Sequence, residues 1–132
     1  MSNVEFIKGL YEAFGRGDVP TVLGTMDPEI EWYEAEGHPY KPSGEAFTGP
    51  DAVLNEVFMK LGGDFDAFAL HPKTFHDAGK VVVVEGRSTA TSKRTGLSLD
   101  AQVCHVWTLK DGKVAKFQQY VDTAQLREVM GA

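Results

Sequence analysis

The strongest constraint on the fold is an amphipathic hairpin in the last third of the chain. Its first arm runs over Leu97–Leu109, a turn is expected at Asp111-Gly112, and the second arm runs over Val114–Asp122. Hydrophobic residues alternate with others along most of both arms, which is typical of strands with one buried face. Polar residues interrupt this pattern at five positions: His105, Gln118, Gln119, Tyr120 and Asp122. A face of this mixed character predicts the wall of a small-molecule pocket rather than a plain core.

Length and composition fit one folded domain that covers residues 1–132. The 132 residues are 42% hydrophobic and 24% charged, which is ordinary for a soluble globular protein. A net charge of −6, with basic residues scattered along the chain, argues against a nucleic-acid partner. No apolar run approaches the ~20 residues of a membrane span, and the start lacks the features of a signal peptide. The single cysteine, Cys104, excludes an intramolecular disulfide, and we expect a cytoplasmic location.

The order of the predicted elements indicates an α+β fold. Helical spacing predicts a helix over Asn3–Phe14, with Ser2 and Glu5 as a capping box, and Asp18 caps a second short helix. A strand, a long loop, a third helix, four antiparallel strands and a short C-terminal helix follow, at about residues 29–34, 35–49, 48–61, 66–75, 80–91, 97–109, 114–121 and 124–130. Helices segregated from an antiparallel sheet form an α+β domain. A curved sheet with helices across one face leaves a cone-shaped cavity, where we expect the chemistry.

Three segments carry a resemblance to a known family. They are Glu29–Trp32 after a capped helix pair, Phe47–Val53 at the start of the third helix, and His105–Val114 leading to Tyr120–Asp122. With the element order, they resemble SnoaL-like proteins of the nuclear transport factor 2-like (NTF2-like), or ketosteroid isomerase-like, superfamily. The resemblance covers almost the whole chain and implies a cone-shaped α+β barrel with a pocket between sheet and helices. Such proteins often form dimers and include polyketide cyclases, steroid isomerases and epoxide hydrolases, so the fold does not decide the function.

Asp122 and His105 are the candidate catalytic residues. The resemblance maps a polar residue at the end of the last strand, commonly Asp, to the general acid/base of polyketide cyclases. A carboxylate at the mouth of an apolar pocket should have a raised pKa, because desolvation disfavours its charged form. The alternative for Asp122 is that it caps the last helix. The alternative for His105 is a buried side chain that is hydrogen-bonded to a neighbour.

The register of the hairpin decides which polar residues accompany His105. A two-residue turn places His105 opposite Gln118, and Gln118, Tyr120 and Asp122 then share its face. A three-residue loop with a bulge places His105 opposite Phe117, and Gln119 then replaces Gln118. Both registers remain open from the sequence. Gln118 and Tyr120 are therefore candidate substrate-binding residues.

Aromatic residues are the candidates for the pocket wall. Trp32 alternates with Glu31 and Tyr33 in the predicted first strand, and Trp107 shares a strand face with His105. Tyr11 lies on the apolar face of the first helix, where such residues usually belong to the core. The resemblance adds a second possibility, because a tyrosine hydroxyl reaches into the cavity of ketosteroid isomerases.

Two further candidates could contact substrate from the edges of the pocket. Arg87 and Glu85 share one strand face, and an inward Arg87 could orient an anionic or carbonyl group. If the face points outward, the two are an exposed ion pair, and we favour this for at least one of them. His38 and Tyr40 lie on the long loop and could cover the cavity, although a solvated loop is the simpler expectation.

These residues together favour a cofactor-free acid/base enzyme of the cyclase, isomerase or hydrolase type. Its expected substrate is a small, largely apolar, carbonyl-type molecule in an enclosed pocket. Metal and nucleotide motifs are missing, because the chain has no Gly-x-Gly-x-x-Gly and no paired ligand spacing among its histidines, His38, His71, His76 and His105. The alternatives are a non-catalytic ligand-binding protein and a structural dimerisation domain. A homodimer joined through the sheet is expected, because Val81–Val84 puts apolar residues on both faces.

Overall fold

The helices begin where the sequence supplies side-chain caps. The structure is a computed structural model that describes all 132 residues. Helix α1 covers Asn3–Gly15, and the Ser2 hydroxyl accepts a hydrogen bond from the backbone N–H of Glu5. Helix α2 covers Val19–Gly24 and is capped by Asp18. Ser2 and Asp18 are therefore confirmed as N-caps, whereas the second hydrogen bond of the predicted capping box, from the Ser2 N–H to the Glu5 carboxylate, does not form.

The third helix contains a widened turn. Helix α3 consists of an α-helical turn over Pro50–Val53, a π-helical stretch over Leu54–Phe58 and a second α-helical part over Met59–Asp64. The π stretch brings Val57 and Phe58 to the inner side of the helix, where they pack against the core. Single π turns inside α-helices are rare and are frequent at functional sites. Helix α4 covers Thr123–Met130.

The six strands form one open, mixed sheet. They are β1 to β6 in chain order, with bounds Met26–Tyr33, Phe47–Thr48, Phe65–Ala78, Val81–Ser92, Ser98–Lys110 and Lys113–Val121. Their order in the sheet is β2-β1-β6-β5-β4-β3, and only the β1–β6 pair is parallel. The predicted α+β fold with a mostly antiparallel sheet is confirmed. Because β2 and β3 are free edges, the helices rather than further strand pairing close the cavity.

The register of the β5–β6 hairpin matches neither alternative in full. Asp111 and Gly112 form the two-residue turn with φ angles of 51° and 75°, as the first alternative requires. Ala115 is then an extra residue on β6, because the pairing shifts between Leu109–Val114 and Thr108–Lys116. This bulge sets His105 opposite Gln119. Gln119, not Gln118, therefore shares its face with His105.

The core lies between the inner face of the sheet and the helices. Ile7 of α1, Ile30 of β1 and Val114 of β6 have no exposed surface, and all three belong to one core cluster. A second cluster, which includes Leu99, Leu126 and Val129, attaches α4 to the sheet. No helix of the structure is both long enough and apolar enough to span a bilayer.

Candidate functional site

A narrow cavity lies between the inner face of the sheet and helices α1 and α3. Its volume is about 60 Å³, and most of its lining is aliphatic or aromatic. This volume is below the ~300 Å³ at which ordinary ligand pockets begin. A ligand of that size needs some side chains of the lining to move, and Phe58 and Leu61 of α3 are part of this lining. The polar side chains of the lining are gathered on the sheet side: Glu34, His38, Ser88, His105 and Gln119.

Glu34 is the buried carboxyl group of this wall. It follows β1 and continues the inward alternation of Ile30 and Trp32, which leaves it only 2% exposed. Its Oε2 accepts a hydrogen bond from Trp32 Nε1 at 2.7 Å, and its Oε1 accepts one from Gln119 Nε2 at 2.5 Å. Burial raises the pKa of Glu34 to about 7, although these two hydrogen bonds act in the opposite direction. Both the acid and the carboxylate are therefore populated near neutral pH.

His105 connects the Glu34 side of the wall to helix α1. Its Nε2 lies 2.8 Å from Gln119 Oε1, and its Nδ1 lies 2.6 Å from the Tyr11 hydroxyl oxygen. Tyr11 also accepts a hydrogen bond from Trp107 Nε1 at 3.0 Å. Burial lowers the pKa of His105 to about 4 and raises the pKa of Tyr11 above its usual value. Both side chains are therefore neutral at physiological pH.

His38 faces Glu34 from the loop that follows β1. It is 4% exposed, and its Nε2 lies 3.6 Å from Glu34 Oε1. Its Nδ1 accepts the backbone N–H of Tyr40 at 3.0 Å, so the proton of the neutral ring is on Nε2. Burial lowers the pKa of His38 to about 4. His38 therefore presents a neutral N–H donor beside the carboxyl group.

The loop that carries His38 is fixed to two helix ends. The Tyr40 hydroxyl donates to Asp64 at 2.7 Å, at the end of α3. Arg127 of α4 donates to the carbonyl of Gly37 at 3.1 Å. The solvated loop that the sequence favoured is therefore not what forms at His38, because these contacts hold its ring inside the cavity.

Five of the predicted site residues line the cavity together. Two are the only tryptophans of the chain, and the full set is Tyr11, Trp32, His38, His105 and Trp107. Strand alternation was enough to find Trp32, His105 and Trp107, and the family resemblance suggested Tyr11. His38 was found only through the length of its loop.

The placement of Asp122, Tyr120 and Gln118 in the cavity is wrong. Asp122 is exposed and caps α4, with its Oδ1 accepting the backbone N–H of Gln125 at 3.1 Å. Tyr120 is 57% exposed, and Gln118 turns its amide toward the backbone carbonyl of Gln119. The physical reason is the bulge at Ala115, because one extra residue reverses which face each later side chain of β6 occupies.

Arg87 also lies outside the cavity. Its Nε donates to Asp100 Oδ1 at 2.7 Å on the outer face of the sheet, and both side chains are substantially exposed. Glu85 is on the same outer face and contacts His76. The outward alternative of the sequence analysis is therefore the one that occurs, and Arg87 is not placed to bind a ligand in this cavity.

Sequence reasoning missed Glu34 and left Gln119 as one of two alternatives. The signal for Glu34 was present, because Ile30, Trp32 and Glu34 keep the period of two that marks the buried face of β1. No comparable signal marks Gln119, since its direction depends on the bulge. No three His, Cys, Asp or Glu side chains converge in a way that could hold a metal ion.

The open sheet and the apolar cavity that it closes with the helices define the NTF2-like class of α+β proteins. The SnoaL-like domain family matches residues 7–117, and the chain belongs to that family. An NTF2-like protein from Burkholderia thailandensis E264 is 31% identical, with 98% of each chain covered and a TM-score of 0.92. An NTF2-like protein of unknown function from Burkholderia pseudomallei K96243 is 28% identical over the full length of both chains, with a TM-score of 0.89.

A third similar structure contains a small molecule. TerC, co-crystallised with polyporic acid, is 28% identical, with 98% of each chain covered and a TM-score of 0.85. No curated protein matches this chain in sequence. The comparisons therefore define the family and fold.

Proposed function

We propose that this protein is a general acid/base enzyme for a small, largely apolar molecule with a carbonyl-type group. The base is Glu34 rather than Asp122. The observation that carries this proposal is a buried carboxyl group, hydrogen-bonded through both oxygens, in the wall of an apolar cavity. Its pKa of about 7 matches what proton transfer at neutral pH requires.

The chemistry follows from two adjacent groups. The Glu34 carboxylate removes a proton from the carbon next to the carbonyl, so a C–H bond breaks and an O–H bond forms on Glu34. The released electron pair moves onto the carbonyl oxygen, which becomes an enolate. The Nε2–H of His38 can donate a hydrogen bond to the enolate oxygen of the substrate, because this nitrogen lies only 3.6 Å from Glu34 Oε1. Return of the proton to another carbon completes an isomerisation. In a cyclisation the enolate carbon attacks a second carbonyl carbon of the same molecule, the π bond of that carbonyl breaks, and its oxygen takes the proton from Glu34.

A chromogenic proton-abstraction reaction tests the base without knowledge of the natural substrate. Nitrobenzisoxazole is a flat, apolar molecule whose ring opens to a coloured phenolate when a base removes one proton. We expect turnover to rise with pH with a midpoint near 7, because only the carboxylate form of Glu34 is a base. Glu34→Gln should lower the rate at least ~100-fold. Asp122→Asn is the matched control and should leave it unchanged, since Asp122 caps α4 on the outside.

A non-catalytic binding protein is the second candidate. It is favoured by one observation: every buried side-chain N or O atom has a hydrogen-bond partner, as in a satisfied core. Trp32 and Trp107 both line the cavity, so their fluorescence reports ligand entry directly. Polyporic acid, the molecule in the TerC structure, is a suitable first probe. Quenching by this probe, with no turnover of nitrobenzisoxazole by wild type above the Glu34→Gln background, would favour the binding protein.

We also propose that a second copy of this chain covers the outer face of the sheet. Val81, Val83 and Val106 are half-buried there, and Tyr120 is exposed on the same side. Apolar side chains that are exposed together on a sheet face are often covered by a partner. Light scattering at micromolar concentration tests the proposal, and a mass of 14.5 kDa would contradict it.

A further inference from the structure

We propose that Gln119 is a positioning residue that couples the protonation of Glu34 to the tautomer of His105 and to the direction of the Tyr11 hydroxyl. Gln119 is the one side chain that is hydrogen-bonded to both Glu34 and His105. The inference deepens the proposed function and rests on Glu34 as the group that changes its protonation. It concerns which side chains of the cavity wall donate hydrogen bonds in the carboxylate form of Glu34 and which donate in its acid form.

The carboxylate form of Glu34 fixes every donor along the chain of hydrogen bonds. A carboxylate only accepts, so the amide NH₂ of Gln119 points to Glu34 and its Oε1 points to His105. His105 must then donate from Nε2, and its bare Nδ1 accepts the proton of the Tyr11 hydroxyl at 2.6 Å. Tyr11 in turn accepts from Trp107. In this state the Tyr11 proton is committed to His105 and is not offered to the cavity.

The acid form of Glu34 favours the reverse order. Protonated Glu34 can donate to Gln119, and a half-turn of the amide presents Oε1 to Glu34 and NH₂ to His105 Nε2. His105 then carries its proton on Nδ1 and donates to the Tyr11 oxygen. That oxygen now accepts from both His105 and Trp107, so its own proton is free to point into the cavity. The rearrangement needs rotation of one amide and no movement of the backbone.

Glu34 is the group of this wall that titrates near neutrality. The titratable groups around it are His38 and Tyr40 on the following loop, His105 on β5 and Tyr11 on α1. The two histidines have pKa values of about 4, and burial raises the pKa of both tyrosines above the usual range. Between about pH 5.5 and about pH 9 these four groups therefore stay neutral, and a change in the wall reports Glu34.

The coupling matters for the reaction because it makes the Tyr11 hydroxyl available as a second hydrogen-bond donor, after His38, only when Glu34 is protonated. When Glu34 takes a proton from the substrate, the amide can turn and Tyr11 gains a free O–H. That O–H can donate to the enolate oxygen that forms at the same moment. A buried hydroxyl without a hydrogen-bond partner is unfavourable, so a ligand with a carbonyl near Tyr11 should favour the acid state of Glu34.

Nitrogen-15 NMR of histidine-labelled protein tests the coupling directly. The two nitrogens of a neutral imidazole have widely separated chemical shifts, and these reveal which nitrogen carries the proton. In the wild type we expect His105 to change from Nδ1–H at about pH 5.5 to Nε2–H at about pH 9, with a midpoint near 7. A single tautomer across this whole range would overturn the proposal, and this result needs no variant.

Two variants separate the coupling from a merely structural role of Gln119. In Glu34→Gln the new amide can donate to Gln119 Oε1 as the acid does, so His105 should stay Nδ1–H from about pH 5.5 to about pH 9. In Gln119→Leu the contact to Glu34 is lost, so the tautomer of His105 should no longer follow pH. Nε2–H in Glu34→Gln, or an unaltered titration in Gln119→Leu, would contradict the coupling. Circular dichroism confirms that each variant is folded.

The NMR result and the turnover result can fail independently. If the tautomer changes with pH but nitrobenzisoxazole is not turned over, the coupling stands and the base function of Glu34 falls. If Glu34-dependent turnover is found while His105 keeps one tautomer, the base function stands and the coupling falls.

Discussion

The two faces of the β5–β6 hairpin carry similar residues and have opposite chemistry. On the inner face, His105 and Gln119 are held in a buried chain of hydrogen bonds. On the outer face, Gln118 and Tyr120 are partly or largely exposed. Residue type does not distinguish a glutamine on one face from its neighbour on the other. Successive side chains of a strand alternate between the two faces, and the single extra residue at Ala115 decides which of the two glutamines points inward.

The same contrast separates the two carboxyl groups that compete for the role of base. Asp122 lies at the end of β6 in water and uses its carboxylate to cap a helix. Glu34 lies at the end of β1 in the cavity, where desolvation raises its pKa to about 7. A strand end is therefore not a catalytic position by itself, because the face decides the surroundings of the carboxyl group.

The strongest test of this comparison is insertion of one alanine after Ala115. The bulge already takes up one extra residue, so a second one must either enlarge the bulge or move Phe117 and Gln119 to the outer face. Phe117 is buried against Trp32 and Trp107, and its loss from the core is worth about 3–5 kcal/mol. We expect a fall of this size in the free energy of unfolding, measured by urea denaturation. An unchanged stability would mean that the bulge does not set the faces.

A second test uses the pH dependence of stability in Glu34→Gln. The folded-state pKa of Glu34 is raised from 4.5 to about 7, so the folded wild type binds more protons than the unfolded chain in this window. Wild-type stability from this group is therefore present below pH 4.5 and is lost as the pH rises through about 7.

Glutamine does not titrate, so the unfolding free energy of the Glu34→Gln variant lacks this pH dependence. The difference in unfolding free energy, Glu34→Gln minus wild type, should therefore rise by about 3 kcal/mol as the pH increases across that window. The contributions of His38 and His105 are common to both proteins and cancel in this difference. Urea denaturation at pH values on either side of the window measures it. A difference that stays constant with pH would show that Glu34 has an ordinary pKa in the folded protein.

Removal of one hydroxyl from each face gives the third test. Tyr11→Phe leaves the Trp107 N–H and His105 Nδ1 without their partner, which should cost about 1–3 kcal/mol of stability. Tyr120→Phe is the matched control on the outer face and should change stability by less than ~0.5 kcal/mol. Thermal unfolding of the two variants in the same buffer makes the comparison, and equal shifts would contradict it.

The smallest expected effect is that of Asp122→Ala. Loss of the N-cap of α4 should lower stability by about 1 kcal/mol. The fluorescence of Trp32 and Trp107 should not change, because Asp122 is outside the cavity that they line. A change in their emission would place Asp122 closer to the cavity than its hydrogen bonds indicate.

Local signals in the sequence predict much of this fold. Ser2 and Asp18 cap helices as expected, and Asp111-Gly112 forms the expected two-residue turn. The bulge at Ala115 has no such signal, because the parallel partner β1 fixes the register of β6 from the other side. The pocket wall was therefore predicted well where one strand's alternation decides it, as for Trp32. It was predicted poorly where the pairing register between two strands decides which face a side chain occupies, as for Gln118 and Tyr120.

The π stretch at Leu54–Phe58 gives this protein a simple route to a different ligand size. A π turn holds about one residue more than an α turn, so deletion of one residue there restores a regular helix. The wide turn brings both Val57 and Phe58 to the inner side of the helix, and a turn with one residue fewer presents fewer side chains there, so the deletion changes the roof of the cavity. Glu34, His105 and Gln119 are on the sheet side and keep their places. Insertions and deletions in one helix can thus alter what the cavity admits, while the hydrogen-bonded side chains on the sheet side stay as they are.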